Sequence, residues 1–384
     1  MKKVLMLLSN PFKPDPRVYK EAKSLVKAGF HVKILCWDRT LDYPEKEIID
    51  GINVERIRVK SGYGFKNMIF NLPFFWAKLL FRTLFTDFDF IHTHDFDTVI
   101  IGFLIKILKR KIWFYDSHDL YFTFFIKNCK ENMTAKIMLK LDIYFAKVCD
   151  KLLVATQTIV TGREGQKEFY INYDIKEEKI QVLWNVPEIR EFLNYKKLNL
   201  KKSSKFTIGF IGGQRTVENF LILFESVKDQ KNKYKILFVG EGKDSLLIKR
   251  IIEEKYNYLD IEFIKNVDYK LIPNYYMICD CIFCVYKSKK ETVCDQNEKK
   301  AIQTKVFESA ALGIPSIVPE YNLSGDFVRK YGCGVVITEL KPSEIKFALE
   351  RVINSNFSPN EIRSQWNWEN ESHKLVDTYR SYDG

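Results

Sequence analysis

The chain has 384 residues, 46% hydrophobic and 29% charged, enough apolar side chain for a sizeable core in two or three domains, which excludes a disordered chain. Its formal charge of +12 suits polyanionic partners such as nucleotide diphosphates or an anionic membrane. With no zinc finger, RNA-binding sheet signature or long Lys/Arg run it is not read as a nucleic-acid binder, and no apolar run reaches the ~20 residues of a spanning helix.

The opening stretch Met1–Pro11 imitates a signal peptide, but its apolar run is short and no small-residue cleavage site follows, so it reads as a first buried strand over Val4–Leu8. A loop stiffened by Pro11, Pro14 and Pro16 leads into a helix over Tyr19–Ala28, stopped by Gly29, and a second strand over His31–Cys36. Strand, helix, glycine and strand in this order open a doubly wound sheet, whose ligands lie at the C-terminal ends of the strands. Arg17, at the loop's end, either lends positive charge to a ligand or ties the loop down; both readings stay open.

Val54–Val59 reads as a third strand. Phe65–Phe85 is dense in aromatics, with Pro73 suited to a helix start and Lys78 and Arg82 on one face. It reads as an amphipathic helix lying on an anionic membrane or as a core helix covering the sheet. Two strands then run into polar tips: Asp87–Asp95, which carries His92 and His94, and Lys111–Asp119, which ends in Asp116, His118 and Asp119. A histidine at such a tip is placed to reach a ligand across a cleft. Residues 120–149, with an amphipathic helix from about Met133, are where an acceptor loop is expected. Lys151–Thr156 and Ile180–Pro187 complete the strands of this half.

A polar, basic linker over 194–205 separates the halves, and the pattern restarts. Phe206–Thr216 is strand, glycine turn and helix start. The amides of Gly212 and Gly213, with Arg215 and the Thr216 cap, form a diphosphate cradle, because glycines admit an anion and a helix N-terminus favours negative charge. Lys235–Gly242 repeats the strand-glycine form, with further strands over 261–264, 281–285 and 332–336. Eight cysteines lie at 36, 129, 149, 279, 281, 284, 294 and 333. The Cys279/Cys281/Cys284 cluster lacks paired knuckles or nearby histidines, so buried reduced thiols and a cytosolic location are expected. In Gln303–Pro319, Thr304 reads as an N-cap, Gly313 as the left-handed stop and Ser316–Pro319 as a strand. Lys305 and Glu308 share a face and read either as a surface ion pair or as holders of a phosphate and a sugar's hydroxyls.

Three stretches resemble the retaining family-4 glycosyltransferases of the GT-B fold: Asp15–Val32, Asp116–Asp119 and Lys305–Val318. The last matches through Lys305-Val306-Phe307-Glu308 and Gly313-Ile314-Pro315-Ser316-Ile317. The resemblance implies that Glu308 bonds the ribose of a nucleotide sugar and that His118 contacts the donor sugar near its reacting carbon. It also implies that Arg215 and Lys305 stabilise the leaving diphosphate, and that Asn185 marks the crossover between halves. Asp119 and His94 fall on the acceptor side. The chain departs from the family in two places: Asn10-Pro11 replaces the usual Gly-Gly loop, and Lys300 replaces a first Glu. The Asp-Phe-Asp pairs at 87–89 and 95–97 imitate a metal motif, but the resemblance implies no metal and no other cofactor.

The expected architecture is α/β: two Rossmann-like doubly wound domains facing a cleft, 1–193 and 206–365, with a helix over 366–382 crossing back to brace the first. The expected activity is transfer, with retention, from a nucleotide diphosphate sugar to a glycan or lipid-linked acceptor, in the cytoplasm or peripheral on the membrane's cytoplasmic face. Two alternatives are a degenerate nucleotide- or glycan-binding protein and a nucleotide-sugar epimerase on the same fold.

Overall fold

The computed structural model describes residues 1–13, 15–62, 65–126, 132–160, 162–285 and 296–382. The β-branched and leucine-rich runs form two sheets. The first contains β1 (Lys3–Leu8), β2 (His31–Asp38), β3 (Lys46–Ile49), β4 (Ile52–Arg58), β5 (Phe90–His94), β6 (Ile112–Ser117), β7 (Lys151–Val154) and β8 (Ile180–Val182). Its order is β3-β4-β2-β1-β5-β6-β7-β8, parallel except for the β3–β4 hairpin. The second contains β9 (Phe206–Ile211), β10 (Tyr234–Val239), β11 (Asp260–Ile264), β12 (Cys281–Phe283), β13 (Ser316–Pro319) and β14 (Gly334–Ile337), all parallel, in the order β11-β10-β9-β12-β13-β14.

In each sheet the chain winds one way and then reverses, between β1 and β5 and between β9 and β12. A reversal opens a crevice at the strands' C-terminal ends. The two sheets are the expected pair of doubly wound units. Right-handed crossovers place helices Phe65–Leu84, Phe96–Lys109 and Met133–Val148 on one face of the first sheet, and helix Pro16–Lys27 on the other.

The helix Trp368–Arg380 packs on Pro16–Lys27, so the first domain is closed by residues that follow the second. Trp368 Nε1 donates to Ser24 Oγ (2.9 Å), and the buried Tyr379 ring lies 4.4 Å from Phe114 and 5.2 Å from Phe90. One apolar core runs from the first sheet into Val306, Phe307 and Trp368, while a second fills the far side of the second sheet. Trp366 stacks on Phe307 (5.3 Å) and meets Trp184 edge-on (5.0 Å).

Three local expectations are corrected. Pro73 lies inside its helix, which begins at Phe65: the apolar faces on either side of the proline pack as one element and outweigh the missing amide. Thr304 is the first helical residue: Gln303 takes the cap position without a side-chain bond to the helix, and the Thr304 hydroxyl accepts from Asn185 instead (3.3 Å). The strand expected over Ile180–Pro187 stops at Val182. Gly313 does hold the left-handed conformation (φ 78°) past the helix Thr304–Ala311.

Candidate active site

The turn after β1 is built by the side chains of Asn10 and Asp15 in place of the glycine pair usual in the family. Asn10 Oδ1 accepts from the Phe12 amide (2.8 Å) and its Nδ2 donates to Asp15 (2.7 Å), while Asp15 caps the next helix through Val18 N (3.1 Å). This presents Arg17 at the sheet's end. There the guanidinium is buried: Nη2 and Nε donate to the two oxygens of Asp116 (2.7 and 3.2 Å), and Nη1 to Leu183 O (3.0 Å). Of the two readings of Arg17, the bonds are those of the tie.

Asp116 Oδ2 also accepts from His118 Nε2 (2.7 Å) and lies 3.2 Å from His94 Nδ1, while His118 Nδ1 meets Asp95 (3.3 Å). Burial opposes charge on all of these groups. The imidazole is nevertheless held well above its usual pKa by Asp116 and Asp95, and Asp116 well below its own by Arg17 and His118. The two carboxylates thus favour the charged form of His118, which is set at the cleft with its side chain 18% exposed.

His94 is corrected. Its side chain is fully buried behind His118, where burial lowers its pKa, and it cannot touch an acceptor. Beneath it, Glu21 is pushed up to about 8 by burial and by Asp116. One atom each of Glu21, His92, His94 and Asp116 lie within 4.8 Å of one another. Arg17 already stands 3.2 Å from Glu21 and against Asp116, so a guanidinium balances this carboxylate pair.

From the second domain, helix Thr304–Ala311 points its first turn into the cleft. Glu308 is 5% exposed, which rules out the surface ion pair; Oε1 accepts from Tyr269 (2.7 Å) and Oε2 from Tyr276 (2.7 Å). Thr304 Oγ1 accepts from Asn185 Nδ2 across the domain boundary (3.3 Å). Lys20, pushed down to about 8 by burial, donates to Asn185 (3.0 Å) and Val186 O (2.5 Å), and Glu308 acts on its charge from the opposite domain.

A cavity of about 480 Å³ between the halves is lined by Asp15, Arg17, Lys20, His118 and Asp119 on one side and by Tyr269, Thr304, Phe307 and Glu308 on the other. The expected phosphate cradle lies nearby. Gly212 (φ 127°) and Gly240 (φ 101°) let two strand ends pack backbone to backbone, and a Cβ at Gly242 would come within 2.3 Å of Gln214 O. Gly213 shares that crowding, and a Cβ at Gly212 would sit 3.6 Å from Lys305 Nζ, which lies over the Phe210 ring at 3.8 Å. Arg215 is exposed, and among the described residues it has no hydrogen-bond or ion-pair partner. It reaches across the cleft electrostatically to Asp119, whose pKa desolvation and Asp95 push up.

Several side chains escape sequence reasoning. Asn297 crosses the cleft to Asp119 Oδ1 (2.7 Å) and to the Leu120 amide (2.9 Å), yet it sits in a Glu/Lys-rich stretch with no local signal. Tyr269 and Tyr276 are recognisable only once folding brings them to Glu308. Lys300 directs its ammonium to Glu164 of the first half (3.1 Å). The stretch beyond Val285 that precedes these residues, 286–295, lies outside the described residues, as do Cys129, Cys294 and part of the expected acceptor loop. The six described cysteines are free and buried.

Residues 17–186 match a family model described as Glycosyltransferase Family 4, and residues 194–370 one described as Glycosyl transferases group 1. An uncharacterized glycosyltransferase of Methanocaldococcus jannaschii is 21% identical over 94% of this chain and 92% of its own. Among solved structures, a sucrose-phosphate synthase from Thermosynechococcus elongatus superposes with a TM-score of 0.76 at 14% identity, covering 99% of both chains. Anabaena HepE in complex with UDP-glucose superposes at 0.72 and 12% identity, over 99% of this chain and 100% of its own.

Proposed function

Because the chain belongs to the family-4-like glycosyltransferases, with two Rossmann-like domains in the GT-B arrangement, we infer that it moves a sugar, with retention, from a nucleotide diphosphate sugar to a glycan or lipid-linked acceptor. The observation that carries this reading is the cavity in which His118 and Asp119 of one half face Thr304 and Glu308 of the other. UDP-glucose bound to HepE, on the same fold, points to a donor of this chemical class.

In this reading Glu308, aligned by two tyrosine hydroxyls, takes the ribose. Arg215, Lys305 and the Gly212-Gly213 turn face the diphosphate, where pre-aimed cations and amides stabilise the charge that grows as the glycosidic bond breaks. His118 spends both ring nitrogens on Asp116 and Asp95 and so is not placed to act as a base; held between two carboxylates, it sets positive charge beside the sugar. No metal or other cofactor is assigned. No helix of the described residues is long and apolar enough to cross a membrane, and buried free thiols suit a cytoplasmic setting.

The test is thermal stability with UDP-, GDP- and ADP-sugars on wild type and Glu308→Ala, followed by transfer assays that read the product anomer. A donor at 100 times its Kd stabilises by about 2.7 kcal/mol, a shift of a few degrees. The expected result is a shift with one base, weakened in the variant, and an axial product retained from an axial donor. A shift without transfer to any acceptor would leave a degenerate binder, and conversion of the donor alone would leave an epimerase. No shift with any donor overturns the reading.

A further inference from the structure

We propose that the outer face of the helices Phe65–Leu84, Phe96–Lys109 and Met133–Val148 docks on an anionic lipid bilayer. The three lie side by side on one face of the first sheet. Trp76 Nε1 bonds Asp97 O (2.6 Å), Lys109 Nζ bonds Leu84 O (2.9 Å), and Phe103 meets Tyr144 edge-on at 5.7 Å.

Their outward residues are apolar. Phe70, Phe74 and Phe81 are 74%, 67% and 61% exposed, and with the exposed Phe85 they make a stripe about 22 Å long at a helical rise of about 1.5 Å per residue. Met133, Ile137, Leu141 and Tyr144 make a second exposed stripe, with Ile107 and Leu108 exposed between the two. A soluble monomer seldom leaves so large an apolar surface open.

Charge selects the occupant. Lys78, Arg82, Arg110, Lys136, Lys140 and Lys147 are exposed on or beside these stripes. The described acids of the three helices, Asp97 and Asp142, are both buried. Of the acids at the margin, Asp87 is held by Lys3, Asp150 by Lys106 and Glu55 by Lys33 (2.8 Å), while Glu45 and Glu55 approach Arg82 at 4.0 and 3.5 Å and Asp174 approaches Lys147 at 3.9 Å. Aromatic residues interleaved with cations, on helices whose acids are withdrawn, match an interface of acyl chains and anionic headgroups.

The surface also reaches the cleft. Asp119 and Leu120 lead directly into the turn Tyr121–Phe125, whose Phe124 is 62% exposed, and the N-terminus of Met133–Val148 stands beside that turn, with Asn132 Nδ2 on Phe125 O (2.7 Å). Docked this way, the protein sets its cleft rim at the headgroups. This deepens the lipid-linked half of the proposed acceptor class and rests on that reading only for the acceptor.

The full-length protein should float with vesicles of phosphatidylcholine and about 30% phosphatidylglycerol in low salt, and bind pure phosphatidylcholine at least tenfold less. Lys136→Gln with Lys140→Gln should weaken binding about 30-fold, at roughly fivefold per cation near the surface. Phe74→Ser with Phe81→Ser should do the same without altering the melting profile, since both side chains stand in solvent. Flotation is read without donor or acceptor, so it fails or succeeds independently of the transfer activity. Absence of flotation at low salt overturns the proposal, as does flotation indifferent to all four substitutions. So does a dimer in solution that the Phe substitutions dissociate, which would make a second copy the occupant.

Discussion

The two walls of the cleft solve opposite problems. On the first domain, Arg17, Asp116, His118 and Asp95 form a closed set in which each charge already has its partner. On the second, the Gly212 turn and Arg215 make an open site in which a cation stands without a hydrogen-bond or ion-pair partner among the described residues and feels Asp119 only at a distance. The first wall is finished at folding and holds its groups rigid. The second is left open, and in the proposed reading the negative charge of a ligand completes it. A site that grips a diphosphate and then releases it would benefit from this asymmetry, with the geometry stored in one half and the affinity in the other.

Substitutions can break the comparison, and the largest effect should fall on the closed wall. Asp116→Asn strands a buried guanidinium and an imidazolium together, and unpairing a buried ion typically costs about 3–5 kcal/mol. Urea unfolding should show a loss of that size, with transfer activity lost alongside; a variant as stable as wild type would mean the network is ornamental.

Arg215→Ala should do the reverse. Stability is expected to stay within about 0.5 kcal/mol, as for an exposed side chain, while transfer falls roughly 100-fold, the scale of losing one charge-stabilising donor. Steady-state kinetics and a denaturation curve on the same preparation decide it.

A finer test uses pH. The folded-state pKa of Glu21 lies at about 8, above that of the unfolded chain near 4.5. A raised pKa adds stability that is fully present below the unfolded value and is lost as pH rises through the folded one. Relative to Glu21→Gln, wild type should therefore lose stability between about pH 4.5 and 8, with a slope of at most about 1.4 kcal/mol per pH unit. Parallel curves for the two proteins would show that Glu21 titrates as it does when unfolded. The smallest effect belongs to Lys300→Ala, because its partner Glu164 is half exposed; a loss under about 1 kcal/mol is expected in the same unfolding assay.

What the sequence made legible follows from distance along the chain. Repeated strand–turn–helix openings reveal two doubly wound sheets because that grammar is local: Gly29, Gly212 and Gly313 each mark a boundary by their own backbone freedom. The helix Thr304–Ala311 and the tip at Asp116–Asp119 were readable for the same reason. The charge state of the site was not. Nothing near Arg17 announces that it will be buried against a carboxylate 99 residues away, or near His94 that His118 will cover it. Asn297 and Asp119 are further apart still, at 178 residues, and neither belongs to a periodic pattern. Pro73 misled for a related reason. Its local rule was sound, but the packing on either side was stronger.

The helix Trp368–Arg380 carries a consequence for the order in which the protein can be made. Its Tyr379 hydroxyl supplies the partner of His92 Nδ1 (2.8 Å) and its ring covers Phe30, Phe90 and Phe114. A growing polypeptide on the ribosome therefore exposes this aromatic seam through the synthesis of the whole second domain, because about 185 residues separate the end of β8 from Trp368. The first half is translated early but sealed late, so chaperone capture is expected to centre on Phe90 and Phe114 until residues 368–380 emerge.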